Sequence, residues 1–241
     1  MTSVSLFIPC YNEGEIIGRN IPYILNYLRK LPWDFEVFVV NDNSTDHSLE
    51  IAKSLKKENK NLRILTYHCG PSRRENLAHA FKKSKADIVM FMDMDLATDL
   101  KYLKPLIENV LVGNDLVTGS RHVQGAQSHR LLSRRIISHG YKYFIKMFFN
   151  SKINDHECGF KAFERKKLFN LLNHLGYDST FKRKMVWDTE MFLIAQKLDY
   201  KIKEIPITWN EGAKSALRFS SELSIIPYLF KLKSKLRKIR K

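Results

Sequence analysis

The sequence predicts an α/β fold in which a Rossmann-like, mostly parallel sheet is flanked by helices. Short apolar segments alternate with helical patterns four times in the first half of the chain. Three of these apolar segments end in polar loops, and in a parallel sheet such loops meet at one edge. The chain has 241 residues, which is enough for a sizeable core, and its content of 44% hydrophobic and 27% charged residues is that of a globular protein.

Four strands in the first half are recognised by short apolar runs. They are predicted at residues 4–8, 35–40, 62–67 and 88–92. Each run is followed by a segment with helical periodicity, and these helices are predicted at about 12–29, 47–57, 74–84 and 99–112. Such spacings are typical of parallel βαβ units, because neighbouring parallel strands need a crossover helix between them.

The second half contains elements of the same kinds, spaced less regularly. Strands are predicted at residues 115–118, 159–163 and, as the last strand of the chain, 201–205. Helices are predicted at residues 131–149, at about 188–198 and from about 221 to the end. The last of these has apolar residues at steps of three and four with lysine and arginine between them, so it is a basic amphipathic helix.

The apolar run at 88–92 stops abruptly at Asp93-x-Asp95. A strand that ends in two carboxylates presents them at its carboxyl end, where ligands bind in open α/β sheets. Two carboxylates at this position suit a hard divalent cation such as Mg²⁺ or Mn²⁺, which usually binds together with phosphate. The alternative interpretation is a polar turn that only caps the next helix, and the motif alone leaves both open.

Two further polar loops are expected at the same sheet edge. Residues 9–13 follow the first strand, and residues 41–46 follow the second. A helix begins after each loop, and helix amino termini favour anions. Either loop alone is adequately explained as a helix cap, with Ser44 or Asp46 as the capping residue of the second. Three polar loops together at one edge indicate a binding site.

Basic residues are concentrated in two segments of the chain. The net charge is +16, and residues 129–152 together with 214–241 carry 15 basic residues and one acidic residue. A strongly basic protein is often a nucleic-acid binder. Because both segments also carry a helical apolar stripe, an anionic membrane surface is the favoured partner here. The alternatives are that helix 131–149 packs onto the domain and that the tail is a coiled or disordered basic end.

Composition also bears on the cellular compartment. No apolar run approaches the ~20 residues that cross a bilayer, and the first residues lack the features of a signal peptide. The three cysteines, Cys10, Cys69 and Cys158, are odd in number and widely spaced, which favours a reducing cytosol over a disulfide framework. We therefore expect a cytoplasmic protein that associates peripherally with the cytoplasmic face of a membrane.

Several motifs, taken in chain order, resemble those of family 2 glycosyltransferases with the glycosyltransferase-A fold. In the first half they are Ile8-Pro9-x-Tyr11-Asn12-Glu13, Val40-x-Asp42-x-Ser44-x-Asp46 and Asp93-x-Asp95. The second half resembles the dolichyl-phosphate glucose and mannose synthases, and most closely the glucose type. Its motifs are Gly119-Ser120-Arg121, Arg134-Arg135-x-x-Ser138, Asp155-x-x-Cys158-Gly159-Phe160-Lys161, Trp187-Asp188-x-Glu190 and Pro206-x-x-Trp209-x-Glu211-Gly212-x-Lys214.

The resemblance implies a role for each matching position. The nucleotide base and ribose would be held by Pro9, Tyr11, Glu13, Val40 and Asp42. The donor's diphosphate would be bound through Mg²⁺ or Mn²⁺ by Asp93 and Asp95, with Asp95 as the more direct ligand. The acceptor's phosphate would be held by Arg121, Arg134 and Lys214, and Asp155 would orient the acceptor or the donor sugar. Of these residues, Asp95, Arg121 and Asp155 would form the catalytic group.

Residues of the second half also have structural interpretations. Arg121 could form a surface ion pair, Arg134 could lie on a solvated helix face, and Asp155 could cap a turn. Asp188 and Glu190 open a helix, where capping is the ordinary role and contact with a sugar hydroxyl is the functional one. The residues alone do not decide between these alternatives.

The sequence departs from the family pattern at three places. Asn41 stands where many relatives carry a first aspartate, and Ala97 stands where mannose-type relatives have a glutamine metal ligand. The loop 70–76 lacks the usual Gly-Lys-Gly pattern. Its Arg73 and Arg74 either meet the diphosphate or are solvated, and solvation is the more ordinary outcome.

The resemblance and the charge pattern together predict an inverting, metal-dependent hexosyltransferase. It would move glucose from UDP-glucose to a polyprenyl phosphate, dolichyl or undecaprenyl, at an anionic membrane surface. The catalytic domain would span residues 1–218, with a nucleotide-binding half (1–118) and an acceptor half (119–218), and the membrane-associating tail would be 219–241. The rivals are a family 2 transferase that acts on a hydroxyl acceptor and, from another class, a nucleic-acid-binding protein.

Overall fold

The structure is a computed structural model, and it describes residues 2–72, 74–129, 132–184, 186–210 and 226–239. The strands are β1 (Ser3–Cys10), β2 (Asp34–Asp42), β3 (Leu62–Tyr67), β4 (Ile88–Met92), β5 (Leu116–Ser120), β6 (Gln127–His129), β7 (Phe160–Glu164), β8 (Ile202–Pro206) and β9 (Thr208–Asn210). The helices are α1 (Gly14–Leu28), α2 (Ser48–Glu58), α3 (Glu75–Phe81), α4 (Leu103–Leu111), α5 (Leu132–Phe149), α6 (Arg165–Leu175), α7 (Val186–Lys197) and α8 (Ile226–Lys238).

Seven of the strands form one sheet in the order β3-β2-β1-β4-β7-β5-β8. The strands from β3 to β4 are parallel neighbours, as expected for successive βαβ units. β7 is the exception, because it runs antiparallel to both β4 and β5. A small second sheet pairs β6 with β9. The predicted α/β fold with a mostly parallel central sheet is confirmed.

Helices cover both faces of the large sheet. One apolar layer joins the sheet to α1, α2 and α4, and the other joins it to α3, α5, α6, α7 and α8. β4 contributes alternate residues to the two layers, with Met90 in the first and Phe91 in the second, so every residue of the strand is buried. Burial of each such side chain contributes about 1.5–3 kcal/mol, which explains the continuous apolar runs of the sequence.

Three elements, β6, β9 and α6, are absent from the sequence-based prediction. The strand at residues 202–206 is not the last one, because β9 follows it and pairs with β6. Strands of three residues are too short to produce a periodic pattern. The sequence of α6, by contrast, does carry a helical signal. Its buried residues recur at steps of three, one and three: Leu168, Leu171, Leu172 and Leu175.

The apolar stripe of the tail helix faces the domain. In α8, Leu229, Leu232 and Leu236 are buried in the same apolar layer as α6 and α7. Two polar contacts accompany them, since Tyr228 Oη donates to Glu190 Oε2 and Lys235 Nζ donates to Glu190 Oε1, both at 2.6 Å. The prediction that this stripe lies in a membrane is therefore wrong, because the leucines are already buried in protein. The predicted domain boundary at residue 218 lies outside the described residues.

A different surface of α5 and α8 is apolar and exposed. The two helices touch where the ring centroids of Phe148 and Phe230 lie 5.4 Å apart, and Lys233 Nζ lies 3.9 Å from the centroid of Phe148. Five large apolar side chains of these helices are exposed, and we call them the outer apolar face: Ile136, Tyr143, Phe144, Met147 and Phe230. None of the helices in the described ranges is long and apolar enough to cross a membrane.

Candidate active site

A cleft of about 590 Å³ opens at the carboxyl edge of the sheet, above the ends of β1, β2 and β4. Most of its charged lining residues are acidic. The carboxylates are Glu13, Asp42, Asp93, Asp95, Glu157 and Asp188, and the cationic side chains are Arg74 and Lys184. This excess of negative charge suits a ligand that arrives with a divalent cation.

Asp93 and Asp95 enter the cleft from the end of β4, as predicted from the strand pattern. Asp93 Oδ1 accepts a hydrogen bond from Arg74 Nη1 at 3.0 Å. Asp95 Oδ1 accepts from the backbone nitrogen of Ala97 at 3.0 Å, around the left-handed backbone of Leu96 (φ 56°). The pKa of Asp95 is raised above its ordinary value, because surrounding protein atoms partly desolvate the carboxyl and the Asp93 carboxylate repels a second charge.

Gly159, immediately before β7, lies directly against Asp93. A Cβ atom at residue 159 would overlap Asp93 Oδ2 and lie 2.6 Å from Asp93 Cγ, so no residue with a side chain fits without moving the carboxylate. The antiparallel strand β7 pairs with β4 through Met92 and Phe160, which fixes this approach. The glycine of the Cys-Gly-Phe-Lys motif therefore makes room for the candidate metal ligand.

A chain of alternating charges runs below the two aspartates. Asp188 Oδ1 accepts from Lys161 Nζ at 2.7 Å, and Asp188 Oδ2 accepts from Arg74 Nε at 3.3 Å. Although burial disfavours its charge, the carboxylates of Asp93 and Asp188 raise the pKa of Arg74 above its ordinary value. Arg74 is thus placed in the cleft, and the expectation that it is solvated is wrong.

The loops after β1 and β2 are bonded to each other. Asn12 accepts from the backbone nitrogen of Thr45 at 2.8 Å, and Gly14 donates its backbone N–H to Asp46 Oδ2 at 2.9 Å. Ser48 Oγ accepts from the backbone nitrogen of Glu13 at 2.8 Å. These contacts hold the entrance of α1 beside the entrance of α2, so the polar residues of both motifs shape one wall of the cleft.

The predicted nucleotide-binding residues lie at this wall with one exception. Pro9, Tyr11, Glu13 and Asp42 line the cleft, and the ring of Tyr11 is exposed. Val40 is instead 1% exposed and packs in the core among the residues beside α3, so its side chain does not line the cleft. Val40 and Asp42 lie on the same face of β2, but Val40 is two residues before the strand end and is covered by the apolar side chains of α3, whereas Asp42 is at the end that opens to the cleft.

Asp42 is held rigidly by the loop that follows β3. Its carboxylate accepts from the backbone nitrogen of Ser72 at 2.8 Å, from Ser72 Oγ at 2.9 Å and from Asn76 Nδ2 at 2.6 Å. Gly70 permits this close approach, since a Cβ there would lie 2.7 Å from Asp42 Oδ1. The result is a pre-formed carboxylate whose position does not depend on a ligand.

Arg121 and Asp155 form a buried, two-pronged ion pair. Arg121 donates from Nε and Nη2 to the two carboxylate oxygens of Asp155 at 2.7 Å each, and its backbone nitrogen donates at 2.9 Å. These contacts outweigh desolvation, so they hold the pKa of Asp155 well below its ordinary value. Of the structural alternatives, a surface pair for Arg121 is excluded because both side chains are buried.

The two other predicted acceptor residues are Arg134 and Lys214. Arg134 belongs to α5, and its side chain is not among those described. Lys214 lies outside the described residues. The role of these residues and of Arg121 in holding an acceptor phosphate therefore stays a prediction.

The residues of the cleft fit a divalent cation that is shared with a ligand. Within the described ranges no group of three or more histidine, cysteine or acidic side chains has the arrangement of a complete metal site. Mg²⁺ and Mn²⁺ do not require one, because Mg²⁺ commonly takes one or two carboxylates and completes its shell with water and substrate phosphates. Asp93 and Asp95 supply such a pair.

Comparison with known sequences identifies the family. The sequence profile of glycosyl transferase family 2 matches residues 5–172. The glycosyltransferase AglD of Haloferax volcanii is 35% identical over 212 residues, which are 86% of this chain and 33% of AglD. A dolichyl-phosphate beta-glucosyltransferase of Trichomonas vaginalis is 27% identical over 241 residues, covering 95% of this chain and 72% of that protein. The chain therefore spans one third of AglD and a larger part of the dolichyl-phosphate enzyme.

Comparison with solved structures supports the fold. Glucosyl-3-phosphoglycerate synthase of Mycobacterium tuberculosis in complex with UDP matches with a TM-score of 0.66 at 18% identity, over 100% of this chain and 82% of that chain. The same enzyme in complex with Mn²⁺ and UDP-glucose matches with a TM-score of 0.65 at 16% identity, over 100% and 81%. The profile match, the sequence relatives and this shared architecture establish that the chain is a glycosyltransferase of family 2 with the glycosyltransferase-A fold.

Proposed function

We propose that this protein is an inverting glycosyltransferase that moves glucose from UDP-glucose to a polyprenyl phosphate at a membrane surface. The observation that carries the proposal is the acidic cleft at the strand ends, in which Asp93 and Asp95 lie beside the pre-formed Asp42 wall. The names of the relatives support the acceptor, because two relatives of which this chain covers 72% and 70% are dolichyl-phosphate beta-glucosyltransferases.

The donor's nucleotide would lie along the wall formed by the loops after β1 and β2. Tyr11 offers an exposed ring for the base, and the rigid Asp42 carboxylate can accept from a base N–H. Uridine is proposed as the donor's nucleoside because a structurally similar enzyme was solved with UDP-glucose. Asp93 and Asp95 would hold Mg²⁺ or Mn²⁺, which when bound neutralises charge that develops on the leaving diphosphate.

The chemistry requires little from general acids or bases. A phosphate monoester is already anionic at pH 7, so it can attack the anomeric carbon in line and invert it without a dedicated base. The chain's own contribution is then positioning and charge stabilisation. Arg74 and Lys184 are the cations that line the cleft. Arg121, Arg134 and Lys214 are the proposed partners of the acceptor phosphate, and Asp155 would position Arg121 through their ion pair.

A hydroxyl acceptor is the second candidate, and one observation favours it. Arg121 is already bonded to Asp155 through two nitrogens, so this guanidinium is less available to a phosphate than the resemblance implies. A hydroxyl acceptor needs a general base within reach of the reacting oxygen. Glu157 lines the cleft within 3.7 Å of Arg121 Nη2 and is the carboxylate that would serve.

The membrane association is proposed for the outer apolar face. Its five side chains lie on α5 and α8. Lysines flank them, with Lys142 beside the ring of Tyr143 and Lys233 beside the ring of Phe148. Exposed apolar residues with basic neighbours suit the headgroup region of an anionic bilayer, where each basic residue contributes about 1 kcal/mol. A polyprenyl-phosphate acceptor would be met in the same layer. The enzyme would then act peripherally, on the membrane side that supplies the nucleotide sugar.

The decisive experiment is a transfer assay with several donors and two acceptors. The protein is incubated with Mn²⁺ or Mg²⁺, labelled sugar nucleotides, and either a short polyprenyl phosphate or a glycan with free hydroxyls. We expect label from UDP-glucose in the lipid extract. Label that appears only in the glycan would support the second candidate, and absence of transfer from every donor would refute both.

Two aspartate variants test the site in the same assay. Asp95→Asn is expected to abolish transfer, because it removes the proposed ligand charge while preserving the side-chain shape. Asp34→Asn is the matched control, since Asp34 is exposed at the opposite edge of the sheet and lies outside the cleft. Unaltered transfer by Asp95→Asn would show that the metal assignment is wrong.

A further inference from the structure

Arg74 occupies a central position between two carboxylates of the cleft. Its Nη1 lies 3.0 Å from Asp93 Oδ1, and its Nε lies 3.3 Å from Asp188 Oδ2. The guanidinium carbon also lies 5.0 Å from the centroid of the Phe91 ring, which supports it from below. The side chain is largely enclosed but reaches the cleft surface.

The two carboxylates differ in how firmly they are held. Asp188 is mostly buried and is bonded at 2.7 Å to Lys161, whose side chain is fully buried at the start of β7. Lys161 Nζ also bonds the carbonyl of Cys158. Asp93 is more exposed than Asp188 and faces the cleft. The Arg74–Asp188 contact is therefore the fixed one, and the Arg74–Asp93 contact is the one that a ligand can replace.

The same Asp93 carboxylate is the proposed ligand of the divalent cation. A doubly charged ion at Asp93 would lie a few ångströms from the guanidinium of Arg74, and like charges at such a distance repel strongly in a partly buried site. Binding of the ion alone would therefore break the charge-assisted hydrogen bond between Arg74 and Asp93, and it would add repulsion between the ion and the guanidinium. A diphosphate that arrives with the ion removes both costs, because a guanidinium pairs well with phosphate oxygens.

We propose that the guanidinium of Arg74 changes its partner when the donor binds. While no donor is bound, it pairs with the Asp93 carboxylate. When metal and nucleotide bind together, it leaves Asp93 and pairs with the donor's diphosphate. Lys161 positions Arg74 in this exchange by fixing Asp188. The consequence is positive coupling, in which metal and nucleotide each raise the affinity of the other by the same factor. The inference rests on the proposed function, since it takes Asp93 as part of the metal–diphosphate site.

Calorimetric binding of Mn²⁺ alone, UDP alone and UDP with saturating Mn²⁺ tests the exchange. In the wild type, we expect UDP to tighten Mn²⁺ binding by about tenfold or more. In Arg74→Gln, Mn²⁺ alone should bind severalfold more tightly, UDP with Mn²⁺ should bind more weakly, and the coupling factor should fall by about tenfold. Arg63→Gln is the matched control, because Arg63 forms an exposed pair with Glu36 outside the cleft, and it should behave as the wild type.

In Arg74→Gln, Mn²⁺ affinity is expected to rise and UDP affinity to fall, and these opposite changes distinguish the proposed role from a merely structural one. A variant that only distorts the cleft would weaken Mn²⁺ alone and UDP together, and that result would overturn the proposal, as would an unchanged coupling factor. Arg74→Lys provides a second test if the glutamine variant does not fold. It keeps the charge but not the two-nitrogen fork, so Mn²⁺ alone should bind as in the wild type while the gain from UDP shrinks. A wild-type protein that binds neither Mn²⁺ nor UDP would instead contradict the proposed function.

Discussion

Gly159 illustrates how a single residue determines whether the cleft can hold a cation. The Asp93 carboxylate occupies the space that a side chain at residue 159 would need, since a Cβ atom there would lie 2.6 Å from Asp93 Cγ. The carboxylate can take this position only because residue 159, whose backbone comes so close, has no side chain. The identity of the residue before β7 therefore matters for the ligand position and not for backbone flexibility.

Replacement of Gly159 by alanine should remove the metal site with little effect on the fold. The added methyl group displaces the Asp93 carboxylate, so we expect UDP–Mn²⁺ affinity to fall by at least tenfold in calorimetry, which corresponds to about 1.4 kcal/mol. Gly140→Ala in α5 is the control, because nothing lies within 4 Å of a Cβ there and alanine favours a helix. Equal affinities for the two variants would contradict the proposed position of the metal.

The Arg121–Asp155 pair allows a prediction of how a single substitution changes the free energy of unfolding. Asp155→Asn removes the two-pronged counter-charge of a buried guanidinium and leaves it the longer contact with Glu157 at 3.7 Å, so we expect a cost of about 3 kcal/mol. The matched control is Glu36→Gln, which breaks the exposed pair with Arg63 and should cost about 0–1 kcal/mol. Urea unfolding measures both values. A loss for Asp155→Asn no larger than that of the control would show that the pair is not structurally important.

The sequence allowed Asp93 and Asp95 to be predicted but not their partners. Both aspartates follow directly from a strand that ends at the ligand-binding edge of a parallel sheet. Arg74, Lys161 and Asp188 come from three separate segments, and only the packing of β7 and α7 brings them together. Local periodicity carries no information about such contacts. The basic loop before α3 and the motifs that contain Lys161 and Asp188 single out these residues, but none of these patterns indicates that the three side chains touch one another.

At the scale of elements, α8 has two faces with different neighbours. Leu232 is buried beside α7, and Phe230, two residues earlier, is exposed on the outer apolar face. A sequence pattern identifies such a helix as amphipathic but does not tell whether its apolar stripe packs on protein or on lipid. Here the regular leucine stripe packs on protein, which explains why the sequence-based assignment of that stripe to a membrane is wrong.

Two substitutions in α8 should separate its structural role from its membrane role. Leu232→Ala is expected to lower the free energy of unfolding by about 2–5 kcal/mol, because it leaves a cavity in the core. Phe230→Ser should leave stability nearly unchanged but reduce binding to vesicles that contain anionic lipid, measured by co-sedimentation. Vesicle binding that is insensitive to Phe230→Ser and to Met147→Ser would argue against the outer apolar face as the membrane contact.

At the scale of the whole molecule, the buried His156 and the half-buried His122 make stability depend on pH. Burial lowers the pKa of His122 and of His156 to about 4, compared with about 6.5 in an unfolded chain. Because the folded state keeps both rings neutral, the stability they contribute is fully present above pH 6.5. It is lost progressively as the pH falls from about 6.5 to about 4.

The expected loss can be measured by urea unfolding at pH 7 and pH 5. The buried His156 should reduce the free energy of unfolding by about 2 kcal/mol between these pH values. The half-buried His122 should contribute less, because solvent screens its ring. His156→Gln should make the loss smaller by about 2 kcal/mol, and the same substitution at the exposed His68 serves as the control. Equal pH dependence in both variants would show that His156 is not kept neutral by the fold.

The architecture as a whole was more predictable than its connections. Alternating apolar runs and helical patterns correctly indicated a mostly parallel sheet with helices on both faces. The position of β7 was not predictable in this way, because its five residues give no sign of strand direction or of the two neighbours. Sheet order depends on long-range pairing, and no local pattern encodes it.

The late position of β7 in the chain has a consequence for synthesis on the ribosome. β4 ends at residue 92, but the strand that covers its free edge begins only at residue 160. Until that segment emerges, the nascent chain exposes an unpaired apolar strand edge, the kind of surface that joins with other chains. Gly159 and Lys161 belong to the same segment. Its emergence therefore covers the exposed edge of β4 and, at the same time, completes the surroundings of Asp93.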